Sequence, residues 1–102
     1  MYKSGGYNIY PREVELALES HPAIAMAAVF GVPDDHYGEK GVAYVLPRPG
    51  ASLQEQDVRD HARDRLANYK VPKAIYIDTE LPMLPIGKID KGALKQRYRA
   101  TR

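Results

Sequence analysis

The chain has no cysteine, which excludes disulfides, thiolate chemistry and zinc–sulfur sites. It has no strong excess of either charge: a net +2 is too small by itself to point to nucleic acid or an anionic membrane. No apolar run approaches the roughly 18 residues of a membrane span. The N-terminal MYKSGG lacks the apolar centre of a secretory signal. The absence of cysteine permits a reducing compartment, and the cytoplasm is the expected location. What is present is ordinary. A chain of 102 residues, 44% hydrophobic and 27% charged, has the length and composition of one small domain with a modest core.

MYKSGGYNIYP reads as two short extended segments around Gly5-Gly6, a pair suited to a hairpin turn. Pro11 fits the first turn of a helix, where its missing N–H costs nothing. In that helix Val14, Ala17 and Leu18 share one face, and Glu13, Glu15 and Glu19 occupy the rest. His21-Pro22 ends it. Ala23 to Val32 is apolar on both faces and reads as a central, doubly covered strand. PDDHYGEK follows as a polar loop, and Gly41 to Leu46 as a second strand. Ser52 with Glu55 has the form of a capping box for a helix carrying Val58, Ala62 and Leu66. KAIYIDT is a third strand. Asp90 can cap a final basic helix containing Lys91, Lys95, Arg97 and Arg99, with Arg102 beyond. The predicted fold class is α+β: a small mixed sheet with an N-terminal β-hairpin and flanking helices, one domain over residues 1–102.

No residue set here makes a self-sufficient active site. His21, His36 and His61 are scattered without metal-site spacing, so cap or surface roles outweigh catalysis and no metal site is expected. Asp34 and Asp35 read as a solvated turn. LPMLPIGKID, Leu81 to Asp90, stands out. Its prolines disfavour both helix and central strand and predict an extended, semi-rigid loop that delivers Gly87-Lys88. A nucleotide phosphate loop fails there, because Pro82 stands where a glycine is needed and Ile89 where a hydroxyl is needed. On residue physics alone a solvated surface turn is the stronger reading of Gly87-Lys88. Gly5-Gly6 is open in the same way, between a plain turn and a place where a narrow ligand passes close to backbone.

KSGGYNIYPREVE (Lys3 to Glu15) and LPMLPIGKIDKGALK (Leu81 to Lys95) together resemble the C-terminal domain of the adenylate-forming enzymes. That superfamily includes acyl- and aryl-CoA synthetases, luciferases and the adenylation domains of peptide synthetases. VFGVPDDHYGEKGVAYV and LANYKVPKAIYI extend the resemblance over nearly the whole chain, and the SGGYNIYPREVE form looks more like the acyl- or aryl-CoA ligases than the luciferases or peptide synthetases. The resemblance implies a C-terminal lid domain whose large N-terminal domain, with most of the ATP and carboxylate pocket, is absent. The chain starts just past the place where the family's interdomain hinge would lie, so no hinge residue is assigned.

The implied reaction has two halves. A carboxylate attacks the α-phosphate of ATP, giving an acyl-adenylate and pyrophosphate; a thiol of CoA or of carrier pantetheine then displaces AMP. The lid rotates between them. By resemblance Lys88 is the adenylation lysine, Gly87 supports its loop, and Gly5 and Gly6 line the pantetheine tunnel. Lys3 and Asn8 match positions facing the nucleotide or acyl-phosphate in some relatives. ATP with Mg2+, the carboxylic acid and CoA are then substrates of the full-length enzyme, none bound by this domain alone. Pro82, Gly87 and Lys88 also form a P-x-x-x-x-G-K pattern, similar to the site that protein acetyltransferases modify in bacterial relatives. Two further readings stand beside the CoA ligase: an adenylation fragment serving a carrier protein, and a non-catalytic interaction module.

Overall fold

A long hairpin of two apolar strands organises the domain. In the computed structural model, which describes residues 1–100, the elements run β1 (Tyr2–Ser4), β2 (Tyr7–Ile9), α1 (Pro11–Glu19), β3 (Ile24–Asp34), β4 (Gly38–Pro47), α2 (Glu55–Arg65), a 3-10 turn (Asn68–Lys70), β5 (Ala74–Ile77) and α3 (Lys91–Ala100). Arg102 lies outside the described residues. The five-stranded sheet is mixed. β4 pairs antiparallel with β3 and β1 and parallel with β5, and β1 carries β2 on its far side.

The β3–β4 hairpin is longer than its composition suggests. Pairing continues through Pro33↔Glu39 to Asp34↔Gly38, inside the segment expected to be a loop. The turn is tied by Asp34, whose Oδ2 accepts the N–H groups of His36 (3.1 Å) and Tyr37 (2.9 Å). β3 is covered on both faces, as its composition implies, but it is not central. It is an outer strand; of the two strands in this hairpin, β4 is the one with neighbours on both sides. Ala27, Val29, Ala43 and Val45 face one core with α1 and α2; Ala28, Phe30, Val42 and Tyr44 face a second, with Leu81, Leu94 and Tyr98. The result is three layers, with α1 and α2 on one side of the sheet and α3 on the other.

An outer strand leaves N–H groups without a partner strand. Here α1 supplies acceptors. Glu15 Oε2 takes the Val29 N–H at 2.9 Å, and Glu19 Oε2 takes the Ala27 N–H at 3.1 Å. Glu15 is consequently buried, at 5% exposure, instead of lying on the solvent face of its helix. Pro11 is at the first turn of α1, and Asp90 caps α3 through its Oδ1 to the Ala93 N–H at 3.1 Å, both as expected. The capping box of α2 is Gln54 with Asp57, whose Oδ2 takes the Gln54 N–H at 2.9 Å, not Ser52 with Glu55.

The N-terminal hairpin is docked onto the main sheet by Tyr2. Gly31 and Gly41 are register partners across β3 and β4, and the Tyr2 ring lies in the trough that their missing side chains leave. The hydroxyl is buried without a hydrogen-bond partner among the described residues. Burial, aided by Glu39, pushes its pKa up to about 12. A Cβ added at Gly31 would overlap Tyr2 Cβ and Cγ, atoms that cannot swing aside. Gly31→Ala is expected to lower unfolding stability by about 1–3 kcal/mol through overpacking. Urea denaturation checks it, and an unchanged midpoint would show that Tyr2 is not held in this trough.

Candidate functional site

The expected extended loop is a miniature hairpin. The Gly87 N–H bonds Leu84 O (2.9 Å), the Leu84 N–H bonds Lys88 O (2.7 Å), and the Asp90 N–H bonds Pro82 O (2.8 Å). Met83 and Ile89 form a bridge between its limbs. Pro85 stands at the second position of the turn, where its fixed φ is favourable. Gly87 follows with φ +88°, the left-handed residue that closes such a turn. A Cβ built at Gly87 meets no atom within 4 Å, so within this chain the glycine is required by conformation and not by space.

The hairpin presents Lys88 from its returning limb. The side chain is exposed, and its ammonium makes no hydrogen bond or ion pair with a described residue. It lies on a cleft of about 720 Å3 at the outer edge of the sheet, lined by Arg12 and Glu15 of α1, Met26 of β3, and Leu84 and Lys91. The charges of the cleft wall are mutually engaged. Lys91 Nζ is 2.6 Å from Glu15 Oε2, and Arg12 reaches Glu15 (3.4 Å) and Glu19 (3.5 Å). Lys88 is therefore a cation held on a hydrogen-bonded hairpin without a counter-ion of its own among the described residues.

Gly5 and Gly6 lie elsewhere. Both have positive φ, +58° and +87°, the pattern of a two-residue hairpin turn. The turn is braced against the tip of the main hairpin. The Gly5 N–H bonds Tyr37 O at 2.9 Å, the Lys3 N–H bonds Glu39 Oε1 at 3.0 Å, and Tyr7 stacks on Tyr69 with ring centres 4.4 Å apart. Gly6 is exposed, with open space where a side chain would project. Lys3 and Asn8 are register partners in this hairpin and both are exposed. Directly opposed residues of an antiparallel pair share a face. Ala28, beside the Lys88 cleft, is separated from Asp34, beside the Gly5-Gly6 turn, by a path of roughly 20 Å along β3 at ~3.3 Å per residue. The structure thus joins Lys3, Gly5, Gly6 and Asn8 at one end of the domain and Gly87 and Lys88 at another. The two groups do not form one constellation.

The histidines are less scattered than their spacing suggests. His21 and His61 meet edge to face at 4.8 Å, and His61 Nε2 is 2.9 Å from Ser20 Oγ. This is no nucleophilic pair. Ser20 Oγ donates to Ala17 O (2.6 Å), and His61 Nε2 also lies 3.1 Å from that carbonyl, which can only accept. The nitrogen facing Ser20 therefore carries the proton. Burial, Arg65 and His21 lower the His61 pKa, which favours the neutral ring. His36 is exposed in the main turn, packed edge to face on Tyr37. Among the described residues no group of three or more His, Cys, Asp or Glu is placed to hold a metal ion. No described helix is long and apolar enough to cross a membrane.

Comparison with known proteins places this geometry in a family. The AMP-binding enzyme C-terminal domain profile matches residues 13–88. A methyl-dioxo-octahydroindenyl-propanoyl:CoA ligase of Rhodococcus jostii is 48% identical over 94% of this chain and 19% of its own length. A long-chain-fatty-acid–CoA ligase of Bacillus subtilis is 51% identical over 84% of this chain and 15% of its own. Among solved structures, a Mycobacterium tuberculosis fatty acyl CoA synthetase superposes with a TM-score of 0.89 at 38% identity, covering 99% of this chain and 20% of that one. The chain spans about a fifth or less of the length of the curated relatives it matches. With a family profile over most of its length and relatives of this identity across nearly all of it, the chain belongs to the AMP-binding enzyme C-terminal domain family.

Proposed function

We propose that the chain is the mobile C-terminal domain of an ATP-dependent, AMP-forming carboxylate–CoA ligase of the cytoplasm, working against a large N-terminal domain. Lys88 enters the nucleotide pocket during adenylation. Its ammonium, charged at neutral pH, stabilises the negative charge that develops as the carboxylate oxygen attacks the α-phosphate and pyrophosphate leaves. Rotation of the domain then withdraws Lys88 and brings the Gly5-Gly6 turn to the path of the CoA pantetheine arm, where two residues without side chains leave room beside backbone. Lys3 and Asn8, on one face of that hairpin, contact the nucleotide or acyl-phosphate. The described residues offer no ligand set for the Mg2+ that would accompany ATP.

The observation that carries this reading is the state of Lys88. A lysine on a braced three-bond hairpin, at the mouth of a cleft where Lys91 is paired, is built to neutralise charge that comes from outside the domain. The relatives' names, CoA ligases for different acids, support the reaction class and leave the acid to the missing domain. Incubated with ATP, CoA and a panel of carboxylic acids, the 102-residue chain alone is expected to release no pyrophosphate. Turnover by it alone would overturn the reading of the chain as a lid.

Lys88 is also the proposed target of a protein acetyltransferase, on the pattern of Pro82, Gly87 and Lys88. Its exposure supports this, whereas Lys91 is engaged by Glu15 and Lys95 lies over the Phe30 ring at 5.9 Å. Acetylation removes the charge and lengthens the side chain. Mass spectrometry after treatment with an acetyltransferase and acetyl-CoA is expected to find acetyl-Lys88, with adenylation lost and then restored by a deacylase. Modification of Lys91 or Lys95 with Lys88 untouched would refute the switch.

A further inference from the structure

We propose that Glu15 is a positioning residue for Lys88: its buried carboxylate ties the root of the 81–90 hairpin to the outer edge of the sheet. The inference rests on Lys88 as the adenylation lysine and adds what holds it in place.

The geometry is a three-way junction. Glu15 comes from α1 on one side of the sheet. Its Oε2 accepts the Val29 N–H of β3 at 2.9 Å and the Lys91 ammonium at 2.6 Å. Lys91 is the first residue of α3, on the other side of the sheet, so the ion pair closes around the sheet's open edge. The Glu15 side chain is 6% exposed and that of Lys91 40% exposed. A buried acid is tolerated when paired and hydrogen-bonded, and breaking such a pair leaves an uncompensated charge.

Lys91 follows Asp90, which belongs to both neighbouring structures. The Asp90 N–H closes the hairpin onto Pro82 O, and its side chain caps α3. The hairpin is itself stiff, being bonded at Leu84–Lys88 and at Leu84–Gly87. A tilt at its root is therefore passed on to Lys88 with little absorbed by the loop. Displacement of a catalytic group by about 1 Å is enough to cost on the order of 10²-fold in rate. Glu19 provides the comparison within the same helix. It caps the same edge through the Ala27 N–H, but its carboxylate pairs with Arg12 and not with the hairpin root.

The test uses the full-length enzyme carrying Glu15→Gln, Lys91→Met, Lys91→Arg or Glu19→Gln. Glu15→Gln and Lys91→Met are expected to lower kcat for adenylation by about 10- to 100-fold. The KM for ATP should move by no more than about threefold, since an interaction made only in the transition state is what weakens. Thioester formation from pre-made acyl-adenylate should be unchanged. Lys91→Arg, which keeps the charge, should recover adenylation, and Glu19→Gln should leave it intact. Hydrogen exchange read by mass spectrometry on the same proteins should show faster exchange in peptides spanning 82–90 in Glu15→Gln, with β4 peptides unaltered.

Unchanged exchange of the 82–90 peptides in both Glu15→Gln and Lys91→Met would overturn the anchoring itself. Faster exchange with normal adenylation would overturn the positioning role of Glu15, while adenylation by Lys88→Ala, measured alongside, would show the role of Lys88 to stand or fall on its own. Equal losses in both half-reactions, or failure of Lys91→Arg to recover activity, would reduce Glu15 to a structural residue.

Discussion

In the full-length enzyme, Lys88→Ala is expected to slow acyl-adenylate formation by about 10²–10³, the usual loss when one preorganised donor is removed from a developing charge. Thioester formation from pre-made acyl-adenylate should be nearly normal, because the proposed rotation takes the lysine out of the pocket. The domain should remain as stable as before, since Lys88 is exposed and its ammonium bonds no described residue. Pyrophosphate release and CoA-dependent AMP release, measured separately, give the two rates. Equal loss in both would make Lys88 a structural residue.

Gly6→Leu is expected to do the reverse. Within this chain a side chain at Gly6 meets nothing within 4 Å, so any block must come from what the turn faces in the assembled enzyme. The left-handed φ of +87° adds a backbone cost of about 1–2 kcal/mol for a residue with a Cβ. Thermal unfolding measures that cost on its own. Adenylation should survive, while CoA transfer should fall by about 10² or more as the pantetheine arm is displaced from its path. If both half-reactions stay normal, the glycine pair is a turn and nothing more.

Much of the fold is legible because the signals are local. Gly5-Gly6 between Tyr and Ile residues announces a hairpin, Pro11 opens α1, and Asp90 caps α3. What was not legible depends on partners distant in sequence. Ala23 to Val32 is apolar on both faces whether it lies at the middle or the edge of a sheet, and only pairing with β4 decides. Glu15 reads as solvent-facing because it is charged; it is buried because an outer strand needs an acceptor for the Val29 N–H. Ser52 and Glu55 have the spacing of a capping box. Leu53, partly buried against the core that contains Val58, instead favours an N-cap at Gln54, in the manner of a hydrophobic staple. PDDHYGEK hid two strand ends because the tip of a long hairpin projects past the core and loses its apolar alternation. The prolines of LPMLPIGKID argued for an extended loop, yet Pro85 and Gly87 favour a tight turn just as well, and the bonds across that turn decide. The chemistry of Lys88 was not legible in residue physics, because the charge it would meet lies outside the chain.

The most direct test of the central claim, one lid presenting two separate ends in turn, is a pair of distances in the full-length enzyme. The absence of cysteine from this chain leaves engineered thiols free of competition here. Ile86→Cys, at the 74% exposed tip of the 81–90 hairpin, and His36→Cys, beside the Gly5-Gly6 turn, can each be labelled and measured against a fixed label on the N-terminal domain. With ATP and a non-reactive carboxylate analogue, the Ile86 label should sit close to the nucleotide pocket and the His36 label away from it. With a stable acyl-adenylate analogue and CoA, the two distances should exchange order. Distances that stay the same in both states would contradict the account.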